Sequence, residues 1–235
     1  MSSQSILPGS IPWFRVERTV DQCAILIFAK APYPGSVKTR LIPALGEDEA
    51  TRLYTRLMTR LVDWTCNQTP FATELWVTPG RDHPLWRQLA AEYDLPIYLQ
   101  QGDDLGARMG FAAKTALTRH RHVALLGVDC PALTARHIHQ TFLWLDNGED
   151  AVLGPAEDGG YVLLGLNNYH KDLFQGHHWG GGDVAASTRE ALAGLGWRWR
   201  ELPQLWDLDR PQDLERLQLA PIFHALKRQN PDTSI

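Results

Sequence analysis

A-K-A-P-Y-P-G-S-V-K-T-R-L, Ala29 to Leu41, follows directly on the apolar run Ala24–Phe28 (A-I-L-I-F). An unbroken apolar run of this length reads as a strand buried on both faces, the kind found in parallel sheets. Pro32, Pro34 and Gly35 then forbid regular structure, so the strand opens into a shaped loop. Lys38 and Arg40 stand at the far end of that loop. A strand running into a Gly/Pro loop with two cations is a common way to hold phosphate, Lys as a point charge and Arg as a bidentate fork. The G-x-x-x-x-G-K-[ST] spacing is missing, and one glycine stands where a dinucleotide fingerprint needs three. An ordinary surface loop with solvated cations fits the same letters, so the choice falls to the rest of the chain.

Outward from this loop, helix and strand patterns alternate. Gly46–Cys66 carries Ala50, Leu53, Tyr54, Leu57, Met58, Leu61 and Val62 at helical spacing. Glu47, Asp48 and Glu49 crowd its first turn, where the dipole favours anions, and Arg52, Arg56 and Arg60 form a solvated stripe on its other side. Phe71–Thr78, Pro96–Gln100 and Val123–Val128 read as further strands, and Trp197–Leu202 as a last one. Between them, Asp150–Gly154 and Tyr161–Leu166 lie too close for a helical crossover, so this pair is not a standard parallel step. Helices are expected over His83–Tyr93, after a cap at Asp103 or Asp104, from Thr134 to about Leu145, over Val184–Leu195 and from about Pro211, with a flexible loop at His177–Asp183. This alternation predicts a mostly parallel sheet with helices on both faces. Ligands then bind beyond the carboxyl ends of the strands, which selects the loops Lys30–Arg40, Gly102–Arg108, Asp129–Pro131, Pro155–Gly160 and Asp207–Asp209.

The chain has 235 residues, 44% of them hydrophobic, enough for one α/β domain with a full core. We place that domain at residues 22–220, with an N-terminal extension over 1–21 and a polar tail over 221–235. A net charge of −4 offers no global basic field and argues against a nucleic-acid partner. Cys23, Cys66 and Cys130 form no C-x-x-C pair, and a reducing cytoplasm is the compartment this implies. Met1–Asp21 has no apolar stretch suited to a signal peptide or a membrane span. Of nine tryptophans, most are expected in the core and in lids over the site.

Three acidic constellations sit on the selected loops. Asp129 follows the strand Val123–Val128, where a carboxylate meets the ligand edge; a hard divalent cation on phosphate takes one or two such groups. A turn or cap aspartate is the bland alternative. Asp207 and Asp209 supply a second source, although Asp209-Arg210-Pro211-Gln212 resembles a capping box, so that Asp209 could cap a helix while Asp207 shares its face. Glu157-Asp158-Gly159-Gly160 is an acidic turn whose glycines allow close approach of a ligand. Asp158 could accept a proton there, and Asp-Gly is equally a hairpin signal. The histidines, His137 and His139 among them, lack metal-site spacing. Cys130 has no identifiable His partner and reads as a small buried thiol.

Six motifs occur in order: the Ala29–Leu41 loop, G-D-D-L-G-A-R-M at Gly102–Met109, G-V-D-C-P at Gly127–Pro131, G-P-A-E-D-G-G-Y at Gly154–Tyr161, W-G at Trp179–Gly180 and D-L-D-R-P-Q-D-L at Asp207–Leu214. Together they resemble the bacterial family of small GT-A-fold proteins described as glycosyltransferase-like or nucleotide-diphospho-sugar transferase-like. The resemblance implies a GT-A three-layer α/β/α sandwich with a mostly parallel mixed sheet. It implies a nucleotide site at Ala29, Lys30, Ala31, Pro32, Gly35, Lys38 and Arg40 with Asp104 and Arg108, and an acceptor site at Glu157, Asp158, Gly159, Gly160 and Trp179. It further implies Mg²⁺ or Mn²⁺ on Asp129 and Asp209, and catalytic roles for Lys38, Arg40, Asp129 and Asp158. K-T-R-L at Lys38–Leu41 is also similar to the K-S-R-L of the phospholactate guanylyltransferases, nucleotidyltransferases of the same fold. Pro131 stands where a full D-x-D would have its second acid, a departure toward nucleotidyl transfer. The expected partners are a nucleotide or nucleotide-sugar donor and a small-molecule acceptor. Glycosyl transfer is placed first, nucleotidyl transfer with release of pyrophosphate second, and a non-catalytic nucleotide-binding module third; the oligomeric state is left open.

Overall fold

Side-chain alternation along the first strand builds two cores. The computed structural model describes residues 22–219, so the expected extension and tail lie outside the described residues. In β1 (Cys23–Lys30), Cys23, Ile25, Ile27 and Ala29 enter one apolar cluster, while Ala24 and Leu26 enter another. With both faces covered, the strand reads as one continuous apolar run. The first cluster takes Leu53, Leu57, Met58 and Leu61 from α2 (Glu47–Gln68), Trp86 and Leu89 from α3 (Pro84–Tyr93), and Ile138 and Phe142 from α5 (Ala135–Asp146). The second takes Met109, Ala112, Ala113 and Ala116 from α4 (Leu105–Ala116), and Ala185 and Leu192 from α6 (Val184–Gly194). Each large side chain removed from water is worth about 1.5–3 kcal/mol. The result is the expected helix–sheet–helix sandwich.

The remaining strands are β2 (Ala72–Thr78), β3 (Ile97–Leu99), β4 (His122–Gly127), β5 (Ala151–Pro155), β6 (Tyr161–Leu166) and β7 (Trp199–Glu201). Among the described residues they form a seven-stranded sheet in the order β3-β2-β1-β4-β6-β5-β7. Only the pairings of β6, with β4 and with β5, are antiparallel. The link between β5 and β6 is a short turn with no room for a crossover. The short strands β3 and β7 stand at the two edges, where little unpaired backbone is left open.

Two details differ from the sequence reading. Lys30 is the last residue of β1 rather than part of the loop, because it still pairs with Thr78 of β2. Helical backbone also begins before Gly46: Thr39–Leu41 is a 3-10 turn and α1 (Ile42–Leu45) a single helical turn, with Gly46 at φ 77 separating it from α2.

Register brings the selected loops to one edge. Phe28 of β1 pairs with Gly127 of β4, so Lys30 and Asp129 leave the sheet side by side. Ala156, just beyond β5, bridges in parallel to Leu205. The segment after β7 then reaches Asp129, where Leu208 N–H donates to the Asp129 carbonyl at 2.8 Å. α7 (Pro211–Leu219) follows.

Candidate functional site

Lys38 has a left-handed backbone, φ 48 and ψ 40, immediately before the 3-10 turn. A non-glycine residue in that region is uncommon and is tolerated where the surroundings over-determine it. Here they do. The Lys38 side chain is 2% exposed, its ammonium lies 2.6 Å from Asp129 Oδ1, and it donates to the Leu208 carbonyl. Arg40, two residues on, is exposed and pairs with Asp209. The two cations named from sequence thus meet the two carboxylates named from sequence.

Asp209 is free to do this because another residue caps α7. Asp213 Oδ2 accepts from the backbone N–H of Asp209 (3.0 Å) and of Arg210 (2.6 Å). The cap expected from Asp209 is therefore supplied instead by Asp213, four residues later.

The loop between β1 and Lys38 is held through backbone carbonyls, its own and that of Thr78. Ala31 N–H donates to the Thr78 carbonyl, Ser36 Oγ donates to the Tyr33 carbonyl at 2.7 Å, and Lys30 Nζ donates to the Ser36 carbonyl at 2.9 Å. Ala29, Ala31 and Pro32 are buried, and Gly35 takes φ 76 at the loop's turn. Lys30 N–H donates to the Tyr54 hydroxyl at 2.8 Å. Burial, and then the Asp129 charge, push the Tyr54 phenol well above its ordinary range, so it stays a neutral acceptor under the loop. Helical spacing alone marked Tyr54 as core; its hydroxyl's role was not visible in the sequence.

A cleft of about 200 Å³ opens at the same edge of the sheet, with Gly127, two residues before Asp129, in its lining. Phe28, Leu105, Met109 and Leu126 form much of its wall, and Asp158, Gly160, Tyr161 and Trp179 also line it. Asp158 Oδ1 accepts from Gly160 N–H at 2.8 Å, which fixes the turn. Gly159, at φ 89, lies so close to the Gly182 carbonyl that an added Cβ would stand 1.9 Å from it. Gly106, at the start of α4, is similarly close: a Cβ there would stand 2.4 Å from Trp179 Nε1. These contacts seat the glycine-rich segment that carries Trp179 on the turn and on α4. Gly106 was not singled out from sequence, since a lone helical glycine carries no local signal of what crosses it.

The other named residues have different partners. Asp104 caps α4, accepting from Ala107 N–H at 2.7 Å, and Arg108 Nε donates to the Gly102 carbonyl at 2.9 Å. Glu157 is held by Arg216 of α7 in a two-pronged pair at 2.6 and 2.9 Å, which keeps its carboxyl below the usual range. His137 Nδ1 accepts from Thr134 N–H at the start of α5. Cys130 is free and buried, and burial pushes its thiol up to about 12.

Electrostatically the edge is acidic. Asp207 is pushed up to about 6, first by burial and then by Asp158, Asp209 and Asp129. Four carboxylates face two cations, Lys38 and Arg40. Among the described residues no three His, Cys, Asp or Glu side chains stand close enough together to hold a metal on their own; one or two carboxylates such as Asp129 and Asp209 are what Mg²⁺ takes when substrate phosphates and water supply the rest of its shell. No helix among the described residues is long and apolar enough to cross a membrane.

Comparison with known proteins agrees with this architecture. Residues 61–181 match DUF2064, a family of uncharacterized proteins conserved in bacteria. The chain is similar to a candidate nucleotide-diphospho-sugar transferase from Desulfovibrio desulfuricans G20, at 31% identity over 90% of this chain and 96% of that one, with a TM-score of 0.79. It shares its fold with a cytidylyltransferase from Leptospira borgpetersenii (16% identity, 91% and 98% covered, TM-score 0.54). The same holds for the inositol-1-phosphate CTP transferase from T. maritima (9% identity, 92% and 98% covered, TM-score 0.56). No curated protein matches the chain. The fold is therefore the nucleotide-diphospho-sugar transferase-like one that the six motifs implied, and the chain belongs to the DUF2064 family.

Proposed function

We propose that the chain is a divalent-metal-dependent transferase acting on a nucleotide-activated substrate. One observation carries this reading: the ion pairs Lys38–Asp129 and Arg40–Asp209 converge at the carboxyl edge of the sheet, joined through Leu208, whose carbonyl accepts from Lys38 and whose N–H donates to the Asp129 carbonyl. Lys38 and Arg40 bind the phosphate chain and neutralise charge that develops on its leaving oxygens. Asp129 and Asp209 would hold Mg²⁺ or Mn²⁺. When bound, the ion supplies Lewis-acid stabilisation of the phosphoryl oxygens. The fixed sheet edge provides the positioning.

The geometry favours nucleotidyl transfer. The second acid comes from Asp209 on a late loop, with Pro131 in the D-x-D position, and most of the cleft wall is apolar, with few side-chain groups to satisfy the hydroxyls of a sugar. In this reaction a phosphate oxygen of the acceptor attacks the α-phosphorus of a nucleoside triphosphate, and the bond to the β-phosphate breaks with release of pyrophosphate. Glycosyl transfer is the second reading, favoured by the 31% likeness to the Desulfovibrio protein. There Asp158 would take the proton of the attacking hydroxyl, and a nucleoside diphosphate would leave. Incubation with nucleoside triphosphates and with nucleotide-sugars, each with Mn²⁺ and a panel of phosphorylated and hydroxyl acceptors, separates the two. Released pyrophosphate is expected; a released nucleoside diphosphate supports the second reading, and neither product overturns the enzyme reading.

A further inference from the structure

The cations and carboxylates of the edge are bonded to each other. Lys38 has its ammonium buried against the Asp129 carboxylate and the Leu208 carbonyl, and Arg40 occupies Asp209. One oxygen of each carboxylate that a divalent ion would take, Asp129 Oδ1 and Asp209 Oδ2, is therefore already in use, by the same groups that phosphate would take. We propose that Lys38 and Arg40 are internal occupants of the cation site and move onto the phosphate chain when it is filled, so that divalent ion and phosphate bind as one cooperative unit. This rests on the function proposed above.

Three features support the exchange. First, an ion on Asp129 alone would leave the Lys38 ammonium both unpaired and close to a second positive charge, which is costly for a buried cation. A phosphate chain removes both penalties by giving Lys38 and Arg40 new anionic partners. Second, the movement needed is small. Lys38 keeps its backbone at the head of the 3-10 turn while its flexible four-carbon stem swings the ammonium, and Arg40 is already exposed. Third, the carboxylates need not move, because Leu208 N–H ties the late loop to the Asp129 carbonyl at 2.8 Å and Asp213 holds the backbone of Asp209. Coupling of this kind is reciprocal: whatever factor phosphate adds to the affinity for the ion, the ion adds to the affinity for phosphate.

The test is binding of Mn²⁺ alone to the full chain, followed as loss of the free-ion signal in electron paramagnetic resonance, with circular dichroism as the check on folding. Lys38→Met removes the competing charge and keeps the stem. It is expected to tighten Mn²⁺ binding at least about tenfold without any nucleotide, the effect of an internal competitor present about nine-tenths of the time. Arg40→Gln, at an exposed side chain where folding is not at issue, is expected to tighten it in the same direction by a smaller factor. Arg216→Gln, which removes a cation paired to Glu157 instead, is the control for general charge and is expected to change nothing comparable. Calorimetry with inorganic tripolyphosphate supplies the other half: Mn²⁺ strengthens its binding to the unmodified chain, and that coupling collapses in Lys38→Met. Unchanged Mn²⁺ affinity in both Lys38→Met and Arg40→Gln overturns the exchange while leaving the metal-dependent reading intact, as does equal tightening in Arg216→Gln. If no variant, nor the unmodified chain, binds Mn²⁺ even with tripolyphosphate, the proposed function itself fails.

Discussion

Asp207 is a half-buried carboxylate whose ionisation costs stability. Burial and three neighbouring carboxylates raise its pKa from the ordinary 3.8 to about 6. A raised carboxyl pKa means that the folded state binds the proton more tightly than the unfolded one, so ionisation above about pH 6 costs stability, and below pH 4 the cost vanishes. Asp207→Asn is therefore expected to stabilise the fold at pH 7 by about 1 kcal/mol after allowance for partial exposure, or about 2–4 °C in melting temperature. The gain should disappear when calorimetry is repeated near pH 4. The opposite sign is expected at Asp129. Asp129→Asn leaves the Lys38 ammonium without its carboxylate, lowering stability by about 1–2 kcal/mol and turnover by at least about a hundredfold. Asp158→Asn distinguishes the two reactions: product formation falls by about a hundredfold if the residue takes a hydroxyl proton, and changes little if a phosphate oxygen attacks. At this scale Asp129 was legible, since an acid after an apolar strand marks a sheet edge. That Asp209 pairs with Arg40 instead of capping α7 was not, because a capping carboxylate and a free one share the same letters until Asp213 is seen to take the cap.

Among the elements, α4 and the glycine-rich segment around Trp179 depend on backbone approach. The near-contact of Gly106 with Trp179 and with the Phe174 carbonyl leaves no space for a methyl group. Gly106→Ala is expected to cost about 1–3 kcal/mol by overpacking, read as a lower urea midpoint with a shift in tryptophan emission. Binding in the cleft should weaken with it, because Trp179 forms part of the wall. Most elements could be read in advance, since hydrophobic periodicity is a local property. The exceptions are informative. α1 is a single turn and too short to show a period, and Lys30 is kept in β1 by pairing with Thr78, which depends on a strand more than forty positions away.

For the molecule as a whole, the expected outcome is stabilisation by substrate. A nucleotide that fits the edge should, at one hundred times its dissociation constant, add about 2.7 kcal/mol and raise the melting temperature by several degrees. The rise should be larger with Mn²⁺ than without. A thermal-shift screen of nucleotides and nucleotide-sugars, run both ways, measures it. Equal shifts with and without the ion would favour a binding module over a metal-dependent transferase. Apolar runs, helical spacing, breakers and residue types by themselves determined the alternation of strands and helices, the three-layer architecture and the loops on which chemistry could sit, because each is written in neighbouring residues. Only the tertiary structure decided which cation meets which acid. Lys38 bonds the Leu208 carbonyl across 170 positions, and Arg40 meets Asp209 across 169. Those meetings follow from β4 lying beside β1 and from the late loop hydrogen-bonding to Asp129. Pairings at such separation are set by how the sheet packs, which no local pattern records.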